Sequence, residues 1–486
     1  MRTLTPLLLI AFFTGCTVGP NYRAPDLNLP TTFGAFTPTQ DTKDIPLQHW
    51  WTVFEDPRLN ALIDRAVAGN LDLKAAESRL REARAQRGIV GADQWFNINA
   101  DGSYRRSKTS ESAFAVGGAD SSASGGTSGQ QGFTFARPGD TTDLFQAGFD
   151  ASWELDLFGG VRRAVEAADA DLAAQEENRR DVLSTVIAEV ARNYIELHGY
   201  QQQIAIAERN VQTQLDAAEV ARSKARLVGG SDLEVARAEA QVAQTRSQIP
   251  TLQQQRDAAA HRLAILLGLP PRQLYDVLLI QSKETAVPQG PSLIMPGIPA
   301  DLLRRRPDVR RAERELAAAT ARIGEATSDL YPKFSLTGAI GLQSEAVKHL
   351  ADWKSHFWNF GPSISWPIFD AGRISSNITV QSERTAQAEA RYRKAVLTAL
   401  EEVENALTAY TKEQFRRTLL AEAVERNRRS VSLATTLYQG GARDFLNVID
   451  AQRALLTTED ALAQSNRQVS SNLVALFKAL GGGAGR

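Results

Sequence analysis

Residues 145–157, FQAGFDASWELDL, alternate strictly between apolar or small side chains and mostly polar ones. A period of two held over such a stretch predicts a β-strand with one apolar and one polar face. At about 3.3 Å per residue the strand would span roughly 43 Å, which is the length that a tilted membrane strand requires. Half-buried strands of soluble sandwiches alternate in the same way, so this stretch alone leaves both structures open.

The same alternation recurs elsewhere in the chain, which favours membrane strands. Trp, Tyr and Phe lie near the ends of these stretches, as in the aromatic girdles of membrane barrels. The predicted strands are about 96–106, 144–157, 333–343 and 357–368. Their polar face would line a lumen, and its members are Asn97, Asn99, Asp101, Asp150, Ser152, Glu154, Asp156, Ser335, Thr337, Asn359, Ser363 and Ser365.

Composition excludes several classes of protein. The chain has 486 residues, is 43% hydrophobic and carries a net charge of -1, so no basic surface for nucleic acid is indicated. Its single cysteine, Cys16, excludes a disulfide framework and a cysteine-based metal cluster. No metal site and no cofactor are expected.

The N-terminal stretch MRTLTPLLLIAFFTGC has the anatomy of an export signal, and its apolar run is too short to span a bilayer. The residues FTGC resemble a bacterial lipobox, which implies a signal peptide over 1–15 and a covalent lipid on Cys16. An ordinary cleaved signal and a buried free thiol are the alternatives. Thr17, in place of aspartate, favours delivery to the outer membrane by resemblance to bacterial lipoproteins.

Helical patterns surround the predicted strands. Asp56 and Pro57 have the character of an N-cap and a first helical residue, and a second helix is expected to begin near Leu71. After FGGVRR come about 65 residues without proline, which predict one helix of roughly 100 Å ending at Leu227. Along it, an apolar seam for coiled-coil packing is predicted at Leu183, Val186, Val190, Tyr194 and Leu197.

An internal repeat organises the chain. LDLKAAESRLREARAQRG at 71–88 matches PDVRRAERELAAATARIG at 307–324, and further matches follow in the same order. The predicted divisions are an N-terminal periplasmic segment 16–56, a first repeat 57–269, a proline-rich linker 270–299 and a second repeat 300–481.

Two connections are singled out by glycine. Residues 107–143 are rich in Gly, Ser and Thr; they lack the Gly-Lys-Ser/Thr of a P-loop and are interpreted as an extracellular loop between membrane strands. Glycine pairs at 229–230 and 440–441 are expected to end long helices, because glycine adopts the positive φ of a helix C-terminus. Pro250 should kink the helix that follows the first pair.

Four membrane strands cannot close a barrel, and an open edge in lipid would leave backbone groups without hydrogen bonds. The smallest barrels have about eight strands, so at least two copies must share one barrel. The predicted fold class is therefore an α+β membrane protein: an oligomeric outer-membrane β-barrel with four strands per chain, continued by a long helical barrel.

Several motifs resemble one known family. CTVGPNYRAP, WWTVFEDPRLNALIDRAVAGNLDL, SWELDLFGGVRRAVEAA and IPADLLRRRPDVRRAE are similar to the lipoprotein outer-membrane factors of tripartite efflux systems, the NodT-like branch of the TolC superfamily. The resemblance runs from Cys16 to Gly481. It implies a homotrimer in the bacterial outer membrane, anchored by lipid, that receives substrate from an inner-membrane pump through a periplasmic adaptor and exports it passively.

The resemblance also implies roles for the helix tips. In the family, the helix tips contact the adaptor, which implies the same role for the residues at the two glycine turns. Charged residues just inside the tips would close the channel at rest. The tip residues are Val228, Gly229, Gly230, Gly440, Gly441 and Ala442. The gate candidates are Asp232, Arg443 and Asp444, each of which has exposed surface charge as its alternative.

Other functions fit the sequence less well. The five histidines are scattered, and HExxH, GxSxG and a cysteine beside a base are all missing from the sequence, so an enzyme is not expected. A periplasmic coiled-coil protein would leave the alternating strands and the lipobox without a role. A duct for type I protein secretion is the alternative within the same class.

Overall fold

The alternating stretches form one antiparallel sheet with the strand order β1-β2-β3-β4. The structure is a computed structural model that describes residues 17–27, 29–30, 34, 47–108, 110, 141–227, 231–273, 286–291 and 305–485. This small sheet and the long helices elsewhere in the chain confirm the predicted α+β composition.

The elements follow one another in chain order. They are a 3-10 helix Leu47–Phe54, α1 Pro57–Gly69, α2 Leu71–Ala92, β1 Asn97–Lys108, β2 Thr141–Leu155, α3 Gly160–Leu227, α4 Asp232–Leu266, α5 Pro307–Ser328, β3 Lys333–Ser344, β4 His356–Ser365, α6 Arg373–Gln439 and α7 Phe445–Ala479. Short 3-10 turns at Val347–His349 and Trp353–Ser355 lie between β3 and β4.

Two of the strands end earlier than the alternation predicts. The prediction extended β2 to Leu157, but the strand stops at Leu155 because the Asp156 carboxylate turns to bond the Arg162 backbone N–H and guanidinium at the start of α3. The prediction extended β4 to Ile368, but the strand stops at Ser365, just before Pro367, which has no N–H to donate to a neighbouring strand. The alternation of apolar and polar side chains therefore continues beyond the last residues whose backbones pair in the sheet.

The chain divides into two structural units. The first, here the sheet unit, contains the described parts of 1–22, 85–169 and 318–384. The second, here the helical unit, contains the described parts of 23–84, 170–317 and 385–486. Both predicted repeats contribute to both units.

A tryptophan-centred core stabilises the helical unit. Trp50 is fully buried and stacks on Phe477 at a centroid distance of 5.2 Å. Asp56 caps α1, its carboxylate accepting from the Arg58 and Leu59 backbone N–H groups, as predicted. The apolar face of α1 is buried in this core, and so is the predicted seam of α3. The residues of the α1 face are Leu59, Leu62, Ile63 and Ala66, and those of the α3 seam are Leu183, Val186, Val190, Tyr194 and Leu197. Much of the α3 seam therefore packs within one chain.

The RRRPD motif joins helices in the helical unit. The Arg306 guanidinium, almost fully buried, bonds the Asp308 carboxylate at 2.7 Å, the Glu402 carboxylate at 2.7 Å and the Ala479 carbonyl at 3.0 Å. The contacts connect the first turn of α5 with α6 and with the end of α7.

Pro250 lies inside α4, which continues through it as one helix from Asp232 to Leu266.

Among the described residues, no helix combines the length and the apolar character needed to cross a membrane.

Candidate functional site

The apolar side chains of the sheet lie on one face. Phe149 on β2 is directly opposite Ala100 on β1 and Ile340 on β3, and Ile340 is opposite Trp358 on β4. These are large side chains, yet Phe149 is 58% exposed and Trp358 is 71% exposed. Exposed apolar patches of this kind on a folded chain indicate contact with lipid or with another protein.

The opposite face is polar, as predicted. Asn99 donates its side-chain N–H to the Asp150 carboxylate at 3.0 Å, and the hydroxyls of Ser335 and Ser363 are 2.7 Å apart. The register places the predicted lumen residues of the four strands in facing rows. Asp156 is the exception, because it lies beyond β2 and bonds the start of α3. A sheet with one apolar and one polar face can separate lipid from water.

The sheet has two different ends. Helices α2 and α5 lead into β1 and β3, whereas helices α3 and α6 follow β2 and β4. Because the sheet is antiparallel, all four connections to helices lie at the same end of the sheet, here called the helix end. The connections from β1 to β2 and from β3 to β4 lie at the other, here the loop end. A strand that crosses a membrane would thus separate the helices from the loops.

The segment just after Cys16 is fixed to the helix end. Val18 donates its backbone N–H to the Phe158 carbonyl at 3.1 Å. The buried Arg163 guanidinium binds the Val18 and Gly19 carbonyls and the Asn21 side-chain oxygen, the last at 2.7 Å. Arg163 also pairs with the Glu166 carboxylate at 2.7 Å. Sequence analysis did not single out Arg163, because the carbonyl groups that it binds in the strap are far away in the sequence.

A close approach of two backbones completes this N-terminal strap, residues 17–21. Gly159 has a φ of +83°, and a Cβ added there would lie 2.5 Å from the Thr17 methyl carbon. Glycine is required at this position for both its conformation and its lack of a side chain. Cys16 itself lies outside the described residues, but its neighbour Thr17 packs where β2 turns into α3.

The second helix tip forms as its glycines predict. Gly441 has a φ of +73° and donates its N–H to the Tyr438 carbonyl, while the Ala442 N–H bonds the Leu437 carbonyl at 2.9 Å. This pair of bonds is a Schellman motif, which ends α6 and reverses the chain into α7. Gly440 precedes it with an N–H bond to the Thr436 carbonyl.

The first helix tip is only partly described. Val228, Gly229 and Gly230 lie outside the described residues. The chain resumes at Ser231, whose hydroxyl caps α4 by accepting from the Leu233 N–H at 3.2 Å.

The three gate candidates are exposed. Asp232 is the first residue of α4, and Asp444 is the N-cap position of α7 without a side-chain capping bond. Within the part of the chain that the structure describes, no ion pair involves Asp232, Arg443 or Asp444. Their charges are therefore directed to solvent or to another chain.

The structure adds a link between the two helix hairpins that sequence analysis missed. The Tyr438 hydroxyl donates to the Glu234 carboxylate at 3.0 Å, which joins the end of α6 to the start of α4. Lys224, near the end of α3, donates to the Tyr438 carbonyl, and its ammonium group lies 4.0 Å from the centre of the Tyr438 ring. No spacing in the sequence connects these residues, so only the tertiary structure could reveal the link.

Burial reinforces this link. Tyr438 is only 4% exposed and packs with Phe445 in a small apolar cluster of the helical unit. Burial, and then the neighbouring Glu234 carboxylate, raise the pKa of Tyr438 to about 12. The hydroxyl therefore stays protonated, and able to donate, over the whole physiological range.

Among the described residues, no group of His, Cys, Asp and Glu side chains is arranged to hold a metal ion. The arrangement consists of a two-faced sheet, a fixed N-terminal strap and a helix tip with exposed charges.

Comparison with known proteins identifies the class. The sequence profile of the family described as "Outer membrane efflux protein" matches residues 62–269 and 298–482. Nodulation protein T of Rhizobium leguminosarum bv. trifolii is 30% identical over 99% of this chain and 97% of its own length. Cation efflux system protein CusC of Escherichia coli K12 is 31% identical over 99% of both chains. The solved structure of the outer-membrane channel OprN is similar with a TM-score of 0.86 and 34% identity, over 96% of this chain and 100% of that chain.

These matches define an outer-membrane transport protein, not an enzyme. The chain belongs to the outer membrane efflux protein family, which confirms the resemblance found in the sequence motifs. The family description names efflux, so it favours the efflux channel over the protein-secretion duct.

Proposed function

We propose that this protein is the outer-membrane exit duct of a tripartite efflux pump and that three copies form one channel. The observation that carries the proposal is the exposed apolar face of a sheet that has only four strands in this chain. Such a face is stable in lipid, but an open sheet is not, because its edge strands β1 and β4 would leave backbone groups unpaired there.

The strand directions permit closure between copies. The antiparallel order β1-β2-β3-β4 makes the two edge strands run in opposite directions. β1 of one copy can therefore pair antiparallel with β4 of the next copy. Three copies would give twelve strands, an even number as in bacterial single-chain barrels. The polar face would then line the lumen, and the long helices α3 and α6 would continue the passage into the periplasm.

The position of the N-terminal strap supports a lipid anchor at Cys16. Thr17 is fixed beside Gly159 at the helix end of the sheet. A lipid on the preceding residue, Cys16, would then enter the periplasmic leaflet next to the barrel. Multiple acyl chains anchor a protein stably, whereas one chain binds reversibly.

The helix tips would meet the other components of the pump. We assign adaptor contact to the two glycine turns, because the exposed residues of the second turn present backbone and small side chains to a partner. The exposed charges of Asp232, Arg443 and Asp444 would pair across copies and narrow the entrance. The Tyr438–Glu234 bond would hold the two hairpins of each copy together in that closed arrangement.

The decisive experiment is native mass spectrometry of protein extracted from outer membranes in mild detergent. We expect three copies, each carrying lipid at Cys16, and a monomeric, lipid-free protein would contradict the proposal. The Cys16→Ala variant is the control for the anchor. It should lose the lipid but still assemble, because the sheet itself holds the protein in the membrane.

The single-channel conductance of the same trimers in planar bilayers tests whether the charges at the helix tip form a gate. Replacing Arg443 and Asp444 together with alanine should raise the single-channel conductance, because pairing of charges between copies is lost. Tyr438→Phe should raise it as well by removing the bond to Glu234. Unchanged conductance in the double variant would exclude Arg443 and Asp444 from the gate, and the exposed Arg429→Ala on α6 is a control for charge loss alone.

A further inference from the structure

The apolar face of the sheet ends in cations at the loop end. Along β1 this face carries Ile98, Ala100, Gly102 and Tyr104, and continues in the same two-residue steps with Arg106 and Lys108. The Tyr104 ring stacks on Phe145 of β2 at 4.7 Å. An aromatic pair followed by basic side chains is the pattern of a membrane interface, where rings lie at the level of the head groups.

The loop between β3 and β4 adds to this basic rim. Trp353 is 83% exposed, and its ring lies 4.7 Å from that of His356, the first residue of β4. Lys354 lies between them in the sequence and is exposed. His356 is on the apolar face, opposite Leu342 of β3. An exposed tryptophan beside a lysine offers both an apolar and a cationic contact.

Two of the cations at the loop end, Lys108 and Lys354, are available to an external anion. Arg106 lies 3.7 Å from the Asp143 carboxylate, which also accepts from the Tyr104 hydroxyl at 2.8 Å. The Asp352 carboxylate is bonded to His349 at 2.9 Å. Among the described residues, no ion pair involves Lys108 or Lys354.

The helix end of the sheet is different. There Lys333 pairs with Asp329 at 3.1 Å, and Arg162 pairs with Asp156 at 3.1 Å. Each of these cations is neutralised by a carboxylate of its own chain. Lys333 lies on the polar face, opposite Ser365, and Arg162 lies on α3. Among the described strand residues, the lysine and arginine side chains of the apolar face are Arg106 and Lys108, and both lie at the loop end, which is the outer end of the barrel in the proposed function.

The apolar face below the rim can accept a hydrocarbon chain. Small residues, Ala151 and Gly338, leave a groove of about 340 Å³ between larger side chains. The large side chains that border it are Ile98, Phe149, Ile340, Trp358 and Phe360. A lipid with its acyl chain along this groove would have its head group toward the loop end.

We propose that the rim formed by Arg106, Lys108, Trp353 and Lys354 binds the phosphorylated glycolipid of the outer leaflet, lipopolysaccharide, through its lipid A phosphates. This inference rests on the proposed function, since it requires the loop end to face outward. Arginine and lysine bind phosphate through charge-assisted hydrogen bonds, and anionic head groups attract basic residues at a membrane surface. If β1 pairs with β4 of the next copy, the two parts of the rim come from neighbouring copies and the lipid bridges them.

The test compares two faces of the same strand. The trimer is placed in nanodiscs of zwitterionic lipid, and binding of bisphosphorylated lipid A is measured by native mass spectrometry. The variant Arg106→Ser/Lys108→Ser/Lys354→Ser removes cations from the rim. Arg105→Ser is the matched control, because Arg105 is the neighbouring arginine of β1 but points to the polar face. Dephosphorylated lipid A is the control ligand.

The rim variant should bind lipid A far more weakly, by about fivefold for each removed cation, whereas Arg105→Ser should bind as the wild type does. Dephosphorylated lipid A should bind the wild type as weakly as bisphosphorylated lipid A binds the rim variant. Equal loss in Arg105→Ser, or equal binding of the two forms of lipid A, would overturn the inference. Copy number and conductance are recorded for every sample. Conducting trimers that bind lipid A without dependence on its phosphates would overturn this inference alone. A wild-type protein that forms no trimers would overturn the proposed function as well.

Discussion

The helical unit and the sheet unit place large apolar side chains in opposite ways. In the helical unit, Trp50 and Ile63 are fully buried among neighbours of the same chain. In the sheet unit, Phe149 and Trp358 are more than half exposed on one face. Both arrangements remove apolar surface from water, but the first does so within one folded chain and the second needs lipid around it. Large apolar side chains thus form a core in the helical unit and, in the proposed function, a lipid-facing surface in the sheet unit.

The largest expected effect comes from breaking the helical core. Trp50→Ala should destabilise the helical unit by about 3 to 5 kcal/mol, because it removes a fully buried ring that stacks on Phe477. Denaturant titration of the detergent-extracted protein, followed by far-UV circular dichroism, measures the change. Trp353→Ala is the matched control, because this tryptophan is 83% exposed and should leave the unfolding midpoint nearly unchanged. Similar losses in both variants would contradict the contrast between the units.

A charge on the apolar face of the sheet should have the next largest effect. Phe149→Arg places a cation in the middle of β2 where lipid is expected, at a cost of about 2 to 4 kcal/mol for a lipid-facing site near the midplane. The amount of protein assembled in outer membranes should fall. Ser152→Arg, on the polar face of the same strand, should assemble normally. If the two variants assembled equally, the apolar face would not be in lipid.

The smallest expected effect concerns the partly buried Asp181 carboxylate of the helical unit. Burial, and then the nearby Asp308, raise the pKa of Asp181, despite opposing charges on Arg311, Lys478 and Arg306. A carboxyl with a raised pKa in the folded state contributes stability that is complete below its unfolded pKa and is lost as the pH rises through its folded pKa. Asp181→Asn should therefore be slightly more stable than the wild type at neutral pH, and this advantage should disappear toward pH 4.

Thermal unfolding between pH 4 and pH 8 checks this sign. Asp216→Asn, an exposed position on the same helix, is the control and should show no such pH dependence. A variant at position 181 that is less stable than the wild type at neutral pH would mean that pairing with Arg311, at 3.9 Å, outweighs the burial.

Much of the fold could be predicted because local patterns carry it. The alternation at 145–157 predicted β2 and its two faces, and the helix that ends at Leu227 was predicted from about 65 proline-free residues. Strand ends were less predictable, since Asp156 and Pro367 end the ladder while the alternation continues. Of the site, the conformation of the second glycine turn was predicted, but the Tyr438–Glu234 link was not.

By itself, the sequence determined the class of this protein, through a two-faced set of strands, very long helices and glycine turns, and it predicts an export signal that ends in a cysteine. These features are periodic or local, so neighbouring residues are enough to specify them. Only the tertiary structure decided which distant residues meet, because such contacts depend on the path of the whole chain. It placed Thr17 against Gly159, Arg306 between helices, and Tyr438 beside Glu234 and Lys224.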